Sequence, residues 1–150
     1  MPRRELRNGK QVADWLHELG SKLKQPGRMT LIGSAALLWH AHIRGIGVEL
    51  PEASMDVDPI TDSDEVATHC YEALIGSEFE RAHGWHVNLM PESVLRELPA
   101  GWEERATVKQ IDRLHLTVPA APDLLVPKLR RNEPRDRVHA DWARSIGLMD

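Results

Sequence analysis

The chain holds a single cysteine, Cys70, in 150 residues. No intrachain disulfide can form, which excludes the small stapled folds of secreted proteins and fits a cytoplasmic home. No apolar run approaches the roughly 20 residues of a membrane helix. The start, Met1-Pro2-Arg3-Arg4-Glu5, lacks the apolar core of a signal peptide. Positive charge is not in excess: the formal net charge of −4 argues against a protein that coats nucleic acid non-specifically. Internal repeats and low-complexity segments are missing too. What is present is ordinary for a globular protein, 41% hydrophobic and 28% charged residues, in a length that suits one domain with a real core.

The rest of the chain is organised around Met29 to Ile60. Met29-Thr30-Leu31-Ile32 suits a short buried strand. Gly33-Ser34 then reads as a turn into a helix over Ala35-Ala36-Leu37-Leu38-Trp39, with Ser34 as N-cap and Gly45 and Gly47 as stops. Backbone N–H groups at such a helix start carry the positive end of the helix dipole and can receive a phosphate. Asp56-Val57-Asp58 follows as a second strand. The two-residue period puts both carboxylates on one face and Val57 on the other. Paired oxygen donors are what Mg²⁺ takes from a protein when substrate phosphates and water complete its shell. A D-x-D alone is usually a solvated strand end. The order of turn, helix and paired acids is what points to nucleoside triphosphate chemistry.

On either side, the pattern alternates between helix and strand. Val12, Trp15, Leu16, Leu19 and Leu23 recur at the helical period over 9–24, and Pro26-Gly27 stops that helix. Arg3, Arg4 and Arg7 read as a solvated terminus. Trp39, Leu38 and Ile43 read as core, and His40 and His42 are too close in sequence to share a helix face. Gly45 to Ser54 is a loop, and Pro59 is expected to end sheet pairing. Asp64 to about Arg81 reads as a helix with Val66, Cys70 and Leu74 inward, weakened at Gly76, with a short strand over Glu78 to Arg81 as the alternative. Cys70 reads as a small buried hydrophobe. Trp85 to Met90 reads as a strand with His86 and Asn88 on one face, and Pro91 to Glu97 as a helical turn. Leu98 to Trp102 is a loop with an aromatic anchor.

Ala106–Ile111 and Leu114–Val118 make a hairpin about Asp112-Arg113. A helix begins near Pro122-Asp123, with Pro127 awkward inside it. Asn132-Glu133-Pro134 starts the last helix, whose inner row is Val138, Trp142 and Ile146, with Gly147 at its end. Lys128, Arg130, Arg131, Arg135 and Arg137, against Glu133 and Asp136, leave a local excess of +3. Singly these are solvated helix residues. As a group they suit polyphosphate or an RNA backbone.

Gly33-Ser34 followed by Asp56-x-Asp58 resembles the signature of the nucleotidyltransferase superfamily typified by DNA polymerase β. Lys128-Leu129, then Arg135-Asp136 and an acid at Asp141, resembles the small bacterial nucleotidyltransferases of the AbiEii type. Val87 to Arg105, with Pro91-Glu92-Ser93 and Gly101-Trp102-x-x-Arg105, is similar to an uncharacterised branch of that group. The resemblance runs from about residue 28 onward. It implies an α/β (α+β) single domain, a mixed sheet packed by helices, with an N-terminal helix at 9–24, a core at 28–118 and C-terminal helices at 120–147. It also implies transfer of a nucleotide from an NTP to an acceptor, with two or three carboxylates holding Mg²⁺. Carried over, Asp56 and Asp58 are catalytic and metal-binding. Gly33, Ser34 and Lys128 bind nucleotide, and Arg135 and Asp136 shape the far side of the pocket. The third carboxylate position falls on Asn88, whose amide coordinates without charge, with Glu80 or Glu92 as substitutes. The second acid of the Arg-Asp-x-x-Asp pattern is His139 here.

The first expectation is therefore a Mg²⁺-dependent nucleotidyltransferase acting on RNA, such as tRNA, or on a partner protein, in a toxin–antitoxin or phage-defence setting. Asn88 motivates the alternative, a domain of this fold without catalysis that serves as an antitoxin or scaffold. Transfer to a small molecule would call for a dimer to complete the pocket. No membrane partner is expected, and the oligomeric state stays open.

Overall fold

Strand β1 (Gly27–Ile32) lies at the centre of a mixed sheet, with Gly27, Met29 and Leu31 buried and the residues between them turned outward. The computed structural model describes residues 5–149. Among them the sheet has five strands in the order β3-β2-β1-β5-β4, where β2 is Asp56–Ile60, β3 His86–Val87, β4 Thr107–Ile111 and β5 Leu114–Val118. β1 runs antiparallel to β2 and parallel to β5, β2 runs parallel to β3, and β4 and β5 form the hairpin. Asp112, at φ 51, supplies the left-handed step of that two-residue turn, which aspartate tolerates better than most residues.

Helix α1 (Gly9–Lys22) is opened by an Asn8–Gln11 capping box, and its inner row includes Val12, Trp15, Leu16 and Leu19. It lies so close to α2 (Gly33–Ile43) that a Cβ on Gly9 would meet the Leu38 carbonyl. α2 is apolar almost all round: Ser34 through Ala41 are all buried, and Leu37, Leu38 and Trp39 are among the largest fully buried side chains. A helix of this kind belongs in the core. At about 1.5–3 kcal/mol for each large apolar side chain buried, Leu37, Leu38 and Trp39 make α2 a substantial anchor of the fold. Helices α6 (Ala121–Arg131) and α7 (Pro134–Ser145) pack beside it. Asp123, in the first turn of α6, takes two 2.9 Å bonds from Arg105, which ends the short helix α5 (Trp102–Arg105).

Several expectations change. The expected helix over 64–81 is split into α3 (Asp64–Tyr71) and α4 (Glu78–His83), because Gly76 takes φ +83 and Ser77 caps a new helix through the Glu80 N–H. Glu78 to Arg81 is thus helical, not a strand. Pro59 does not end pairing: it lies inside β2 opposite Leu31. The carbonyls of Met55, Val57 and Pro59 accept from His86, Asn88 and Met90, so the proline's missing N–H faces β3, the shortest strand, where one lost donor matters least. The same bonds carry the backbone of 86–90 past β3 itself. Trp102 begins a helix rather than sitting in a loop, and Pro127 removes one backbone bond from α6 without ending it. Asn132 closes α6 in the left-handed conformation, at φ 54, and the residue before α7 is Glu133. Ile43 is exposed, not core. Arg7 is no solvated end: its guanidinium bonds Glu5 and the carbonyls of Leu50 and Pro51, pinning the 44–55 loop. Arg3 and Arg4 lie outside the described residues. Cys70 is buried and its thiol is pushed up to about 12 by burial, which keeps it inert.

Candidate active site

At the end of β1 the chain turns directly into α2. Gly33, the first residue of that helix, takes φ +77, and a Cβ there would come within 2.6 Å of Asp58 Oδ2. Only glycine satisfies both the backbone conformation and the close approach. β2 lies alongside with Ile32 opposite Asp58, so strand register brings the carboxylate to the helix start. Asp56 and Asp58 share one face of β2, with Val57 fully buried on the other.

These residues line a cavity of about 490 Å³. Gly33, Ser34, Asp56, Asp58, Asn88, Lys128, Arg135 and Asp136, all singled out from the sequence, border it. The opposite wall is α6 and α7, and an apolar side is supplied by Met90, Val94, Leu98, Leu124 and Pro127.

The two sides differ electrostatically. Burial, then the neighbouring Asp56 charge, pushes the Asp58 carboxyl up to about 8, with Lys128 and the Asn88 amide pulling the other way. Its Oδ1 is buried without a hydrogen-bond partner. Across the cavity, Asp136 meets Lys128 Nζ at 3.6 Å and Arg131 at 2.6 Å. Burial pushes Asp136 up, but the Arg131 hydrogen bond and the charges of Lys128 and Arg131 outweigh it and hold the carboxyl below the usual range. Burial lowers the Lys128 ammonium, against the pull of Asp136.

The structure redistributes other expected roles. Ser34 is not an N-cap. It sits inside the first turn of α2, where no side chain caps the helix, and its Oγ bonds His139 Nδ1 at 2.6 Å. Glu80 pairs with His86 and the Gly76 N–H, and Glu92 borders a different depression beside Thr30 and Thr117. Neither lines the cavity. The further acid that does is Glu97, which like Ser54 carries no motif in the sequence to mark it. Asp141 is exposed and pairs with Arg144 on the outside of α7. The five cations of 128–137 do not act as one patch. Lys128, Arg131 and Arg135 border the cavity, while Arg130 reaches the Glu97 carbonyl and Arg137 points to solvent. His40 is buried with Nε2 bonded to the Pro119 carbonyl, whereas His42 is exposed.

Among the described residues no three His, Cys, Asp or Glu side chains converge as a metal cluster. Two carboxylates with an amide nearby, one carboxylate oxygen orphaned, do fit Mg²⁺, which keeps several waters and takes substrate phosphates as ligands.

A mixed sheet whose Gly-Ser corner adjoins a D-x-D strand at the edge of one cavity is the layout expected of a nucleotidyltransferase. Residues 10–149 match the family described as "Nucleotidyltransferase of unknown function (DUF6036)", and the chain belongs to that family. No curated protein and no solved structure matches it. Among the described residues no helix is long and apolar enough to cross a membrane.

Proposed function

We propose that the protein is a Mg²⁺-dependent nucleotidyltransferase that moves a nucleotide from an NTP to a hydroxyl of RNA or of a partner protein. The setting in this reading is a cytoplasmic toxin–antitoxin or phage-defence system, in keeping with the AbiEii-type likeness. The observation that carries it is the buried, unpaired Oδ1 of Asp58 beside Asp56, opposite Lys128 and next to the start of α2. A carboxyl pushed toward its neutral form by burial and a second acid, with one oxygen unpaired at a cavity, is poised to ionise onto a cation.

Asp56 and Asp58 would hold the metal, with the Asn88 amide oxygen within the same wall. When bound, Mg²⁺ makes the attacking hydroxyl more acidic and steadies charge on the leaving pyrophosphate. The N–H groups at the start of α2 face the phosphates, as helix starts do. Lys128 supplies a positive charge to the triphosphate, and its tie to Asp136 fixes that ammonium in place. Arg131 and Arg135 flank the same wall. Met90, Val94, Leu98 and Leu124 offer an apolar surface for the base and keep water from the reacting phosphate.

The test is incubation with labelled NTPs, Mg²⁺ and either total tRNA or a candidate partner protein. Label transfer is expected, and it falls in the Asp56→Ala plus Asp58→Ala variant by more than the roughly 10–100-fold typical of residues that merely support a metal ligand. Transfer that persists in that variant would remove these aspartates from the chemistry. Mg²⁺–ATP binding without transfer to either acceptor would remove the transfer itself.

A further inference from the structure

His139 is fully buried in α7, and both of its ring nitrogens are engaged. Nε2 lies 2.7 Å from the carbonyl oxygen of Glu52, which can only accept, so Nε2 carries the proton. In the neutral ring Nδ1 is then an acceptor, and the Ser34 hydroxyl, 2.6 Å away, donates to it. Burial lowers the imidazole pKa; the Glu52 carbonyl opposes this, while the charges of Lys128 and Arg135 add to it. The neutral form therefore prevails near pH 7. Ser34 is only 6% exposed. Moving its one proton elsewhere would strand a buried imidazole nitrogen.

One side chain thus joins three parts of the cavity rim. Through Ser34 it grips the first turn of α2. Through Glu52 it grips the 44–55 loop, and the Glu52 carboxylate in turn faces Arg135 at 3.6 Å. A carboxylate at position 139 would accept from Ser34 but would have no proton for the Glu52 carbonyl. Histidine performs both tasks.

We propose that His139 is a positioning residue of the nucleotide cavity. As the Nε2–H tautomer it holds the Ser34 hydroxyl and the Glu52 loop in register, and so sets the Gly33–Ser34 corner against Arg135. This rests on the cavity's being the nucleotide site, but the arrangement itself exists without nucleotide. It also redefines Ser34: its proton is committed inward, so grip on phosphate falls to backbone N–H groups and Lys128.

Two measurements test it. Long-range ¹H–¹⁵N spectra of the ligand-free protein, labelled at histidine, should show His139 neutral with Nε2 protonated at pH 7, and its Nδ1 resonance should move in Ser34→Ala. An Nδ1–H tautomer or an imidazolium overturns the proposal. Calorimetry with Mg²⁺–ATP should then show His139→Ala weakened by about tenfold, the size of one stranded buried hydrogen bond. His139→Asn, whose amide can still accept from Ser34, should recover most of that loss. His139→Ala with a lowered Tm and unchanged affinity, or His139→Asn as weak as His139→Ala, reduces the residue to packing and overturns positioning. If the unaltered protein binds no Mg²⁺–ATP, the proposed function fails, and the tautomer spectrum still decides the His139 arrangement.

Discussion

Two aspartates face one another across the same cavity and meet opposite fates. Asp136 sits between Lys128 and Arg131, bonds the Glu133 N–H, and is held ionised. Asp58 sits beside a second acid, keeps one oxygen unpaired, and is pushed toward its neutral form. The α6–α7 wall balances its charges within the chain, whereas the β1–β2 side keeps a carboxyl oxygen without a partner. Family membership places the chain among nucleotidyltransferases of unknown function. The contrast locates the uncompensated carboxyl on the β1–β2 side of the cavity.

The largest way to break the contrast is on the α6–α7 side. Asp136→Asn leaves the Lys128 ammonium, whose side chain is 7% exposed, without its counter-charge. A loss of about 3–5 kcal/mol is expected, read from urea unfolding at pH 7. A loss under about 1 kcal/mol, the range of a surface pair, would show that the wall is not self-contained.

Next is Gly33→Ala, which places a Cβ 2.6 Å from Asp58 Oδ2 on a backbone at φ +77. The left-handed conformation alone costs roughly 1–2 kcal/mol, and the clash adds to it. Thermal unfolding should shift accordingly, and Mg²⁺–ATP affinity should fall with it. A variant that binds as before would show that the corner and the carboxylate are independent.

The gentlest probe is pH. Between the ordinary carboxylate range and about 8, folded Asp58 keeps a proton that the unfolded chain has released. Its contribution to stability therefore falls as pH rises through that window and is level above it. Asp136 works the other way: its contribution is full above the unfolded value and is lost as pH falls through the depressed folded one. Asp58→Asn should flatten the decline in Tm between about pH 4 and 8 and leave the acid limb intact. If the decline persists in Asp58→Asn, Asp58 is not its source.

Much of this was legible from residue order because it depends on short-range periodicity. A period of two put Asp56 and Asp58 on one face, and an apolar block after Gly33-Ser34 announced a buried helix. The fold class, a mixed sheet packed by helices, is what the resemblance to the nucleotidyltransferase superfamily implies, and the five-stranded sheet agrees with it. Short segments were harder. Glu78 to Arg81 is too brief to show a helical or strand period, and only Ser77 at its head marks it as helical. Pro59 looked like a terminator because which neighbour its missing N–H would face is a property of the assembled sheet. In sequence Asn132 suits the opening of one helix, yet it closes another, a distinction carried by its backbone conformation alone. The Ser34–His139 bond joins residues 105 apart, and nothing near either one announces it.

The burial of α2 from Ser34 to Ala41 has a mechanical consequence. A rod held along most of its length cannot tilt without disrupting the interior, so the corner it carries is a fixed jaw. Any adjustment of the cavity's width falls to the other jaw, the α6–α7 wall and the turn over Glu92–Glu97 beside it. Amide exchange should run slowest in α2 and fastest in that turn.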